Sequence, residues 1–378
     1  MRTLVLGAGL QGSACTYDLL KEADVEAVTL ADLKPGAAAP FLPESAKLRK
    51  VKADFGDRAG MLELMREHDV VLSAAPYYLN ASLADAAIAA GRHFGDLGGN
   101  TGIVREQLAL SGRARDADVT VVPDIGLAPG MVNILAAEGI RRFDEPGRVR
   151  MYVGGLPRHP TPPLDYQVVY SLEGVLDYYT TPSFVLEGGE THEVEALSGL
   201  ERVDFDDIGE LEAFHTAGGA SLQPWELADR VESLSYKTLR YPGHARIMRA
   251  IRELGLLGED PIRAGDAEVS PRDVFIACAA PVLTRPGEPD VVALRVVVDG
   301  VRDGRPATLT FDVIDYADED TGISAMARTT GFSLSIAGLF LGRGVISERG
   351  TLPSYRAIPY GPYVEALAAR GIEVRELA

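Results

Sequence analysis

The chain opens on an apolar run with little polar interruption: Thr3-Leu4-Val5-Leu6 leads into Gly7-Ala8-Gly9. An unbroken run of this kind reads as a strand buried on both faces that enters a tight turn. GSACTYDLLKEA then predicts a helix, and VEAVTLAD a second strand ending at Asp32. The alternation continues. LRKVKADFGD predicts a strand ending at Asp54, MLELMREH a helix, DVVLSAAPYY a strand and LADAAIAAG a helix closed by Gly91. HFGDLGG reads as a short strand with a glycine turn, and DVTVVPDIG as another strand. Strands alternating with helices predict a doubly wound parallel sheet of the Rossmann type. IGLAPGMVNILAAEGI follows, with Pro129 placed in the first turn of a helix that ends near Gly139.

From Gly147 the texture changes. VRMYVGGLP predicts a strand, RHPTPPLDY an irregular proline-rich loop, and SFVLEGGETHEV a hairpin around Gly188 and Gly189. VESLSYKTLRY predicts a strand and HARIMRAIRELG a helix closed by Gly255. SPRD at 270–273 carries the marks of a helix start, and VVALRVVVDG with TLTFDVIDY those of an antiparallel pair. This middle region reads as an α+β domain. TGISAMARTTGFSLSIAGLFLGRG predicts an apolar helix interrupted at Gly331 and Gly338, and YGPYVEALAARGIEVREL a helix and a short terminal strand. The expected division is 1–125 with about 323–378 as a discontinuous dinucleotide-binding domain, and 126–322 as a substrate-binding and dimerisation domain. Arg328, Thr329 and Thr330 would then lie near the cofactor.

The first turn carries the most specific chemistry. Gly7, Gly9 and Gly12 have the G-x-G-x-x-G spacing between strand and helix, and Asp32 follows Gly12 by 20 residues at the end of the next strand. Gly7 permits the turn, Gly9 lets the backbone approach a pyrophosphate, and Gly12 lets helix and strand pack closely. With Leu10 and Gln11 they form a cradle for the dinucleotide at the helix start. Asp32 can accept from the adenosine ribose hydroxyls, and its charge opposes a 2′-phosphate. Leu33 offers no positive substitute, although Lys34 is near, so NAD is favoured over NADP. Asp54 and Phe55 are placed beside adenine, and Ala75, Pro76 and Tyr77 on the nicotinamide side, because ligands lie beyond the carboxyl ends of such strands. Asp96 and Asp124 end strands on the same side.

Composition narrows the field further. The chain has 378 residues, a formal charge of −18, 46% hydrophobic and 24% charged residues. No run of 18 uncharged apolar residues predicts a membrane span, and a first strand beginning at Thr3 leaves no room for a cleavable leader. The acidic balance opposes nucleic acid and anionic membranes and favours a cationic substrate. Cys15 and Cys278 match no metal spacing and read as two buried thiols of a reducing compartment. The six histidines form no HExxH pattern, so no metal is expected. Of six lysines, against 31 arginines, only Lys237 lies beyond residue 52. His215, in AFHTAGGAS, can exchange a proton near neutral pH. Arg240, in YKTLRYPGH, offers a guanidinium fork for a carboxylate. Strand alternation puts Lys237, Leu239 and Tyr241 on one face, and Thr238 and Arg240 on the other. Glu173, in YSLEG, is an acid suited to an ammonium group or to base chemistry.

The pieces VLGAGLQG, VTLAD, FGDLGG, PDIGLAPGMVNILA, YVGGLP, PPLDYQVVYSLEGVLDYYT, LEAFHTAGG and YKTLRYPGH together resemble the saccharopine dehydrogenase superfamily, most closely its lysine 6-dehydrogenases. The resemblance implies an NAD-dependent oxidoreductase that deaminates the terminal amine of L-lysine to 2-aminoadipate 6-semialdehyde, ammonia and NADH. It also implies a small amino-acid substrate and a homodimer or larger homo-oligomer; with reduced thiols and no leader expected, the location expected is cytoplasmic. It places the substrate among Tyr170, Glu173, His215, Lys237, Arg240 and Tyr241. In this reading His215 is the first-ranked base and Lys237 the second. Arg240 holds the α-carboxylate, and Glu173 or Asp124 the α-ammonium. The alternatives are a dehydrogenase of saccharopine or of a carboxylated polyamine, and a non-catalytic NAD-binding sensor or scaffold.

Overall fold

The computed structural model describes residues 1–377, which divide into two compact units. The first comprises Met1–Arg142, Asp320–Ile323 and Ala327–Arg375. Its strands are β1 (Arg2–Leu6), β2 (Ala27–Asp32), β3 (Leu48–Lys52), β4 (Val70–Ser73), β5 (His93–Asp96) and β6 (Thr120–Val122). With Gly350–Thr351 they form a seven-stranded sheet in the order Gly350–Thr351, β6, β5, β4, β1, β2, β3. Its neighbouring strands pair in parallel. The order reverses between β1 and β4, and the carboxyl ends on either side of that reversal are where such sheets bind ligands.

The helices of this unit are α1 (Leu10–Lys21), α2 (Arg58–Arg66), α3 (Asn80–Ala90), α4 (Thr101–Ala109), α5 (Ser111–Asp116) and α6 (Met131–Arg141). Two short helices, α4 and α5, fill the β5–β6 connection, which the hydrophobic pattern leaves unassigned. Pro129 lies before α6 rather than in its first turn. Gly130, at φ 131°, is the cap residue, and its N–H donates to the Asn133 side chain. α6 stays with the first unit because it packs on the later helices Ser354–Ala357 and Tyr360–Ala368, so the division falls at Arg142 rather than at 125.

The second unit comprises Phe143–Glu319, Ser324–Met326 and residues 376–377. Its strands are β7 (Glu145–Pro157), β8 (Ser183–Glu187), β9 (Glu190–Val194), β10 (Glu201–Phe205), β11 (Gly209–His215) and β12 (Ser233–Arg240), then a small hairpin of β13 (Ile262–Ala264) and β14 (Ala267–Val269), then β15 (Asp290–Arg302) and β16 (Arg305–Tyr316). The main sheet runs β10, β11, β12, β7, β15, β16 and a last strand at Arg375–Leu377, with β8 and β9 branching from β12. The sheet is strongly curled. Arg295 on β15 grips Asp312 of β16 with two bonds of 2.7 and 2.6 Å, while its Nη1 donates across to the Asp204 carbonyl of β10 at 2.9 Å. One face carries α7 (Leu172–Thr180), α9 (His244–Glu253) and α10 (Pro271–Leu283), packed around Tyr166, Tyr179, Phe214 and Met248. The other face buries Tyr152, Leu156, Ala213, Leu239 and Ala293. A single turn of helix, α8 (Gln223–Glu226), lies between β11 and β12.

The apolar helix read from Thr321 onwards is α11 (Ala325–Gly342), and it is continuous. Gly331 and Gly338 do not interrupt it. Their missing side chains admit neighbours: a Cβ at 331 would lie 2.7 Å from the Ala14 Cβ and 2.8 Å from the Gln11 carbonyl. A Cβ at 338 would lie 2.5 Å from Leu72. The thiols also differ from expectation. Cys15 is buried, but Cys278, on α10, is exposed.

Candidate functional site

In the first unit the glycine loop is built as its spacing requires. Gly7 adopts φ 99°, a conformation that favours glycine, and a Cβ there would lie 2.7 Å from the Ala74 carbonyl. A Cβ on Gly12 would overlap the Gly7 carbonyl, whereas Gly9 has no atom within 4 Å of where its Cβ would stand. The loop is thus tight on its sheet side and open over Gly9, which is the N-cap of α1. No side chain caps α1 and no acid occupies its first turn, so its leading N–H groups are available to an anion. The Gln11 Oε1 is buried without a hydrogen-bond partner, and Leu10 is 44% exposed.

Asp32 stands at the end of β2, where its two oxygens accept from the Ala8 N–H at 2.8 Å and the Lys34 N–H at 2.7 Å. These bonds hold the carboxylate beside the loop. Leu33 is 54% exposed. Asp54 is exposed and turns the chain by accepting from the Gly56 N–H at 2.9 Å, and Phe55 is half-buried. Ala75 is half-buried, and Pro76 and Tyr77 are exposed just beyond β4. An open anion cradle, an anchored acid and apolar side chains at the strand ends fit a dinucleotide.

The carboxyl ends of β4, β5 and β6 hold a polar network that the pattern of residues does not announce. Asp96 accepts from the Asn80 amide at 3.0 Å, the Gly98 N–H at 2.8 Å and the Gln107 amide at 2.6 Å, and Asn80 accepts from Ser73 at 2.8 Å. Burial, opposed by the Gln107 bond and aided by the Asp124 charge, pushes the Asp96 carboxyl up to about 7. Asp124, buried at φ 59°, accepts from the Gly99 N–H at 3.2 Å.

In the second unit the predicted substrate residues separate into two groups. β11 and β12 pair antiparallel, with His215 opposite Lys237 and Glu212 opposite Arg240. Side chains alternate along each strand, so His215 and Lys237 share one face while Glu212, Thr238 and Arg240 share the other. The expectation that one small substrate meets His215, Lys237 and Arg240 together is therefore not met. Lys237 is moreover committed: its Nζ donates to the Glu201 carboxylate and the Gly199 carbonyl, both at 2.6 Å. Both contacts lie on the face away from Arg240, so the second-ranked base does not share a face with the proposed carboxylate anchor. The His215 Nδ1 lies 3.3 Å from the Tyr236 carbonyl, and burial and then the Lys237 charge lower its pKa. Tyr241 also lies off the Arg240 face and donates to the Pro157 carbonyl at 2.9 Å. Glu173 is exposed in the first turn of α7.

Arg240 is the centre of the second group. It is only 5% exposed, yet no carboxylate pairs with it among the described residues. Its Nε donates to the Tyr179 hydroxyl at 3.1 Å and its Nη1 to the Leu239 carbonyl at 2.8 Å. The Tyr166 ring lies 4.7 Å from its Cζ. Burial works against the charge, but the surrounding Tyr179, Tyr166 and Tyr170 hydroxyls outweigh it and hold the group above the ordinary arginine range. Tyr170 is itself pushed up by burial first and then by Tyr178 and Tyr166. The acid opposite it on β11, Glu212, is spent elsewhere: it accepts from the Gly243 and Ala245 N–H groups, at 2.9 and 2.5 Å, at the start of α9. A buried cation without a counter-ion, its remaining N–H groups open, is suited to a carboxylate ligand.

Sequence reading missed Tyr179 and Glu212, and left His244, within YKTLRYPGH, without a role. Two signals were present. Leu172, Val175, Leu176 and Tyr179 repeat at helical spacing, and Glu212 falls on the same strand face as Phe214.

Comparison with known proteins agrees with this architecture. A family profile for the saccharopine dehydrogenase NADP binding domain matches residues 3–122, and one for the saccharopine dehydrogenase C-terminal domain matches residues 126–372. The chain is 25% identical to the mitochondrial alpha-aminoadipic semialdehyde synthase of Bos taurus, over 98% of this chain and 47% of that protein. It thus spans about half the length of that relative. It is 24% identical to the carboxynorspermidine synthase of Vibrio alginolyticus, over 100% of this chain and 97% of that one. In fold it is similar to an apo saccharopine dehydrogenase (L-Glu forming) from Saccharomyces cerevisiae, with TM-score 0.82, 22% identity, and coverage of 100% and 99% of the two chains. It is also similar to the homospermidine synthase of Legionella pneumophila in complex with NAD, with TM-score 0.70, 10% identity, and coverage of 100% and 91%.

These relatives correct one expectation. The synthases of Bos taurus, Mus musculus and Rattus norvegicus are mitochondrial, so the cytoplasmic location does not stand. Charge balance and unpaired cysteines report on solubility and redox surroundings, and neither encodes a compartment. The chain belongs to the saccharopine dehydrogenase family.

Proposed function

We propose that this protein oxidises a carboxylate-bearing secondary amine, of the saccharopine or carboxylated-polyamine type, to a carbonyl compound and a smaller amine. The observation that carries the reading is Arg240, a buried guanidinium with no carboxylate partner among the described residues. The names of the relatives supply the amine class. NAD, held at the glycine loop and Asp32, would supply the oxidant for the hydride that leaves the carbon next to nitrogen. The resulting imine takes up water and cleaves, so that amine, NAD⁺ and water give carbonyl compound, amine, NADH and a proton. Arg240 binds a substrate carboxylate through the N–H groups left open beside Tyr179, and Tyr170 borders the same cluster. Asp32 supports NAD over NADP, because a 2′-phosphate would meet a carboxylate anchored by two backbone N–H groups. A homodimer is the assembly proposed.

Oxidative deamination of L-lysine at its terminal amine is the second reading. A single guanidinium in the cluster matches the single carboxylate of lysine. The test is NADH formation from NAD with L-saccharopine, carboxynorspermidine, L-lysine and cadaverine. Turnover of a carboxylated secondary amine, with none of cadaverine, is the expected result. Turnover of lysine alone moves the assignment to the second reading. Silence with every amine despite calorimetric NAD binding overturns both, in favour of a sensor or scaffold.

A further inference from the structure

The hydrogen bonds behind Arg240 run in one direction. The His244 Nδ1 lies 3.0 Å from the Leu164 carbonyl, which can only accept, so Nδ1 carries the proton. His244 is 3% exposed and belongs to the same buried cluster as the positive Arg240, so its ring is neutral. The Nε2 therefore accepts, and its partner at 2.9 Å is the Tyr179 hydroxyl. Having given its proton to His244, that oxygen has only lone pairs for Arg240, whose Nε–H donates to it at 3.1 Å. The rings are held by stacking: Phe214 lies parallel to His244 with 9° between planes, and Tyr179 packs edge-on against both.

We propose that His244 and Tyr179 are positioning residues. The chain Leu164–His244–Tyr179 fixes the Arg240 guanidinium by its Nε edge, so that its outer N–H groups are presented to a substrate carboxylate in one orientation. The inference rests on the reading of Arg240 given above. Orientation matters because a guanidinium recognises a carboxylate through a planar fork, and an arginine free to rotate loses that match. A guanidinium bonded only to water, or one paired with Glu212, would not need such a support.

The test uses two substitutions of one residue that break different links. Asn at 244 has its amide near the position of Nδ1, so it keeps the Leu164 bond and loses the Tyr179 bond. Gln reaches the position of Nε2, so its oxygen still accepts from Tyr179 while the Leu164 bond is lost. With L-saccharopine as probe, His244→Asn and Tyr179→Phe are expected to raise KM about tenfold or more, with kcat within about threefold. His244→Gln is expected to stay within about threefold of the wild type in KM. In an Arg240→Met background, both Tyr179→Phe and His244→Asn are expected to have no further effect on KM, because they act through the residue already removed.

Equal losses in His244→Asn and His244→Gln, or an undiminished Tyr179→Phe effect in the Arg240→Met background, would overturn the relay and leave the carboxylate reading standing. A KM unchanged by Arg240→Met would instead overturn the carboxylate reading, and the relay with it. Tyr179→Phe removes one oxygen and keeps the ring, so it supplies the answer should a His244 variant not fold.

Discussion

Glu212 and Arg240 face each other across adjacent strands and yet form no ion pair. The carboxylate instead receives the Gly243 and Ala245 N–H groups at the head of α9. One acid thereby starts a helix and leaves the arginine beside it without a counter-ion. Glu212→Ala strands two N–H groups in a buried setting and is expected to cost about 2 kcal/mol. A fall in the urea midpoint at constant m-value checks it, and an unchanged midpoint would refute the capping role.

The two faces of the β11–β12 ladder give opposite expectations. Arg240→Met is expected to lower kcat/KM for a carboxylated amine about a hundredfold, because a partner charge is left unmatched. His215→Ala, on the other face, is expected to change it by less than about threefold. A collapse of activity in His215→Ala with Arg240→Met unaffected would invert the assignment.

Asp32 is held beside the glycine loop by two backbone N–H groups. Replacing Asp32 by Ser and Leu33 by Arg removes a like charge and adds a fork for phosphate. The ratio of kcat/KM with NADP to that with NAD is expected to rise at least about tenfold. A ratio that does not move would show that this end of the loop does not read the ribose.

Gly331 lies inside α11, where alanine is the better helix former by about 1 kcal/mol. Packing opposes that preference, because the added methyl would press on Ala14 and on the Gln11 carbonyl. Gly331→Ala is therefore expected to destabilise by about 1–3 kcal/mol. Gly112, exposed in α5 with no closer neighbour than 4.0 Å, is the control. There the same change is expected to gain up to about 1 kcal/mol. Thermal unfolding of both variants distinguishes packing from propensity.

Burial, and then the Arg240 charge, hold the His244 pKa down to about 3 against an ordinary 6.5. The unfolded chain binds the proton that the folded chain refuses between these values. The contribution of His244 is thus complete above about pH 6.5 and drains away as pH falls towards 3, by an amount on the order of a few kcal/mol. Urea unfolding between pH 4 and 7 is expected to show a shallower pH dependence in His244→Gln than in the wild type. Identical slopes would assign the acid sensitivity to another group.

Much was legible because it is local. The strand, glycine loop, helix and Asp32 are coded within the first 32 residues by spacing and turn chemistry, and the structure builds them with Gly7 at positive φ and Asp32 at the loop. Helix α9 and its stop at Gly255, the hairpin at Gly188 and Gly189, and the β15–β16 pair follow the same logic. The interruption expected at Gly331 and Gly338 failed for the complementary reason. A glycine in an apolar helix lowers local propensity, but its purpose here is contact with α1 and β4, remote in the chain. The six candidate substrate residues were grouped by resemblance; strand alternation already set Lys237 and Tyr241 apart from Arg240, and the ladder added that His215 shares the Lys237 face.

What the sequence determined on its own is the set of short-range instructions: period, caps, turns, and the spacing that makes an anion cradle. Which acid neutralises which base was decided only in the folded molecule. Lys237 found Glu201, Glu212 was taken by the head of α9, and Arg240 was left to Tyr179 and His244. Such pairings depend on which strand lies beside which and on the side to which each side chain turns. Both are set by long-range burial of apolar surface, whose partners no local window contains.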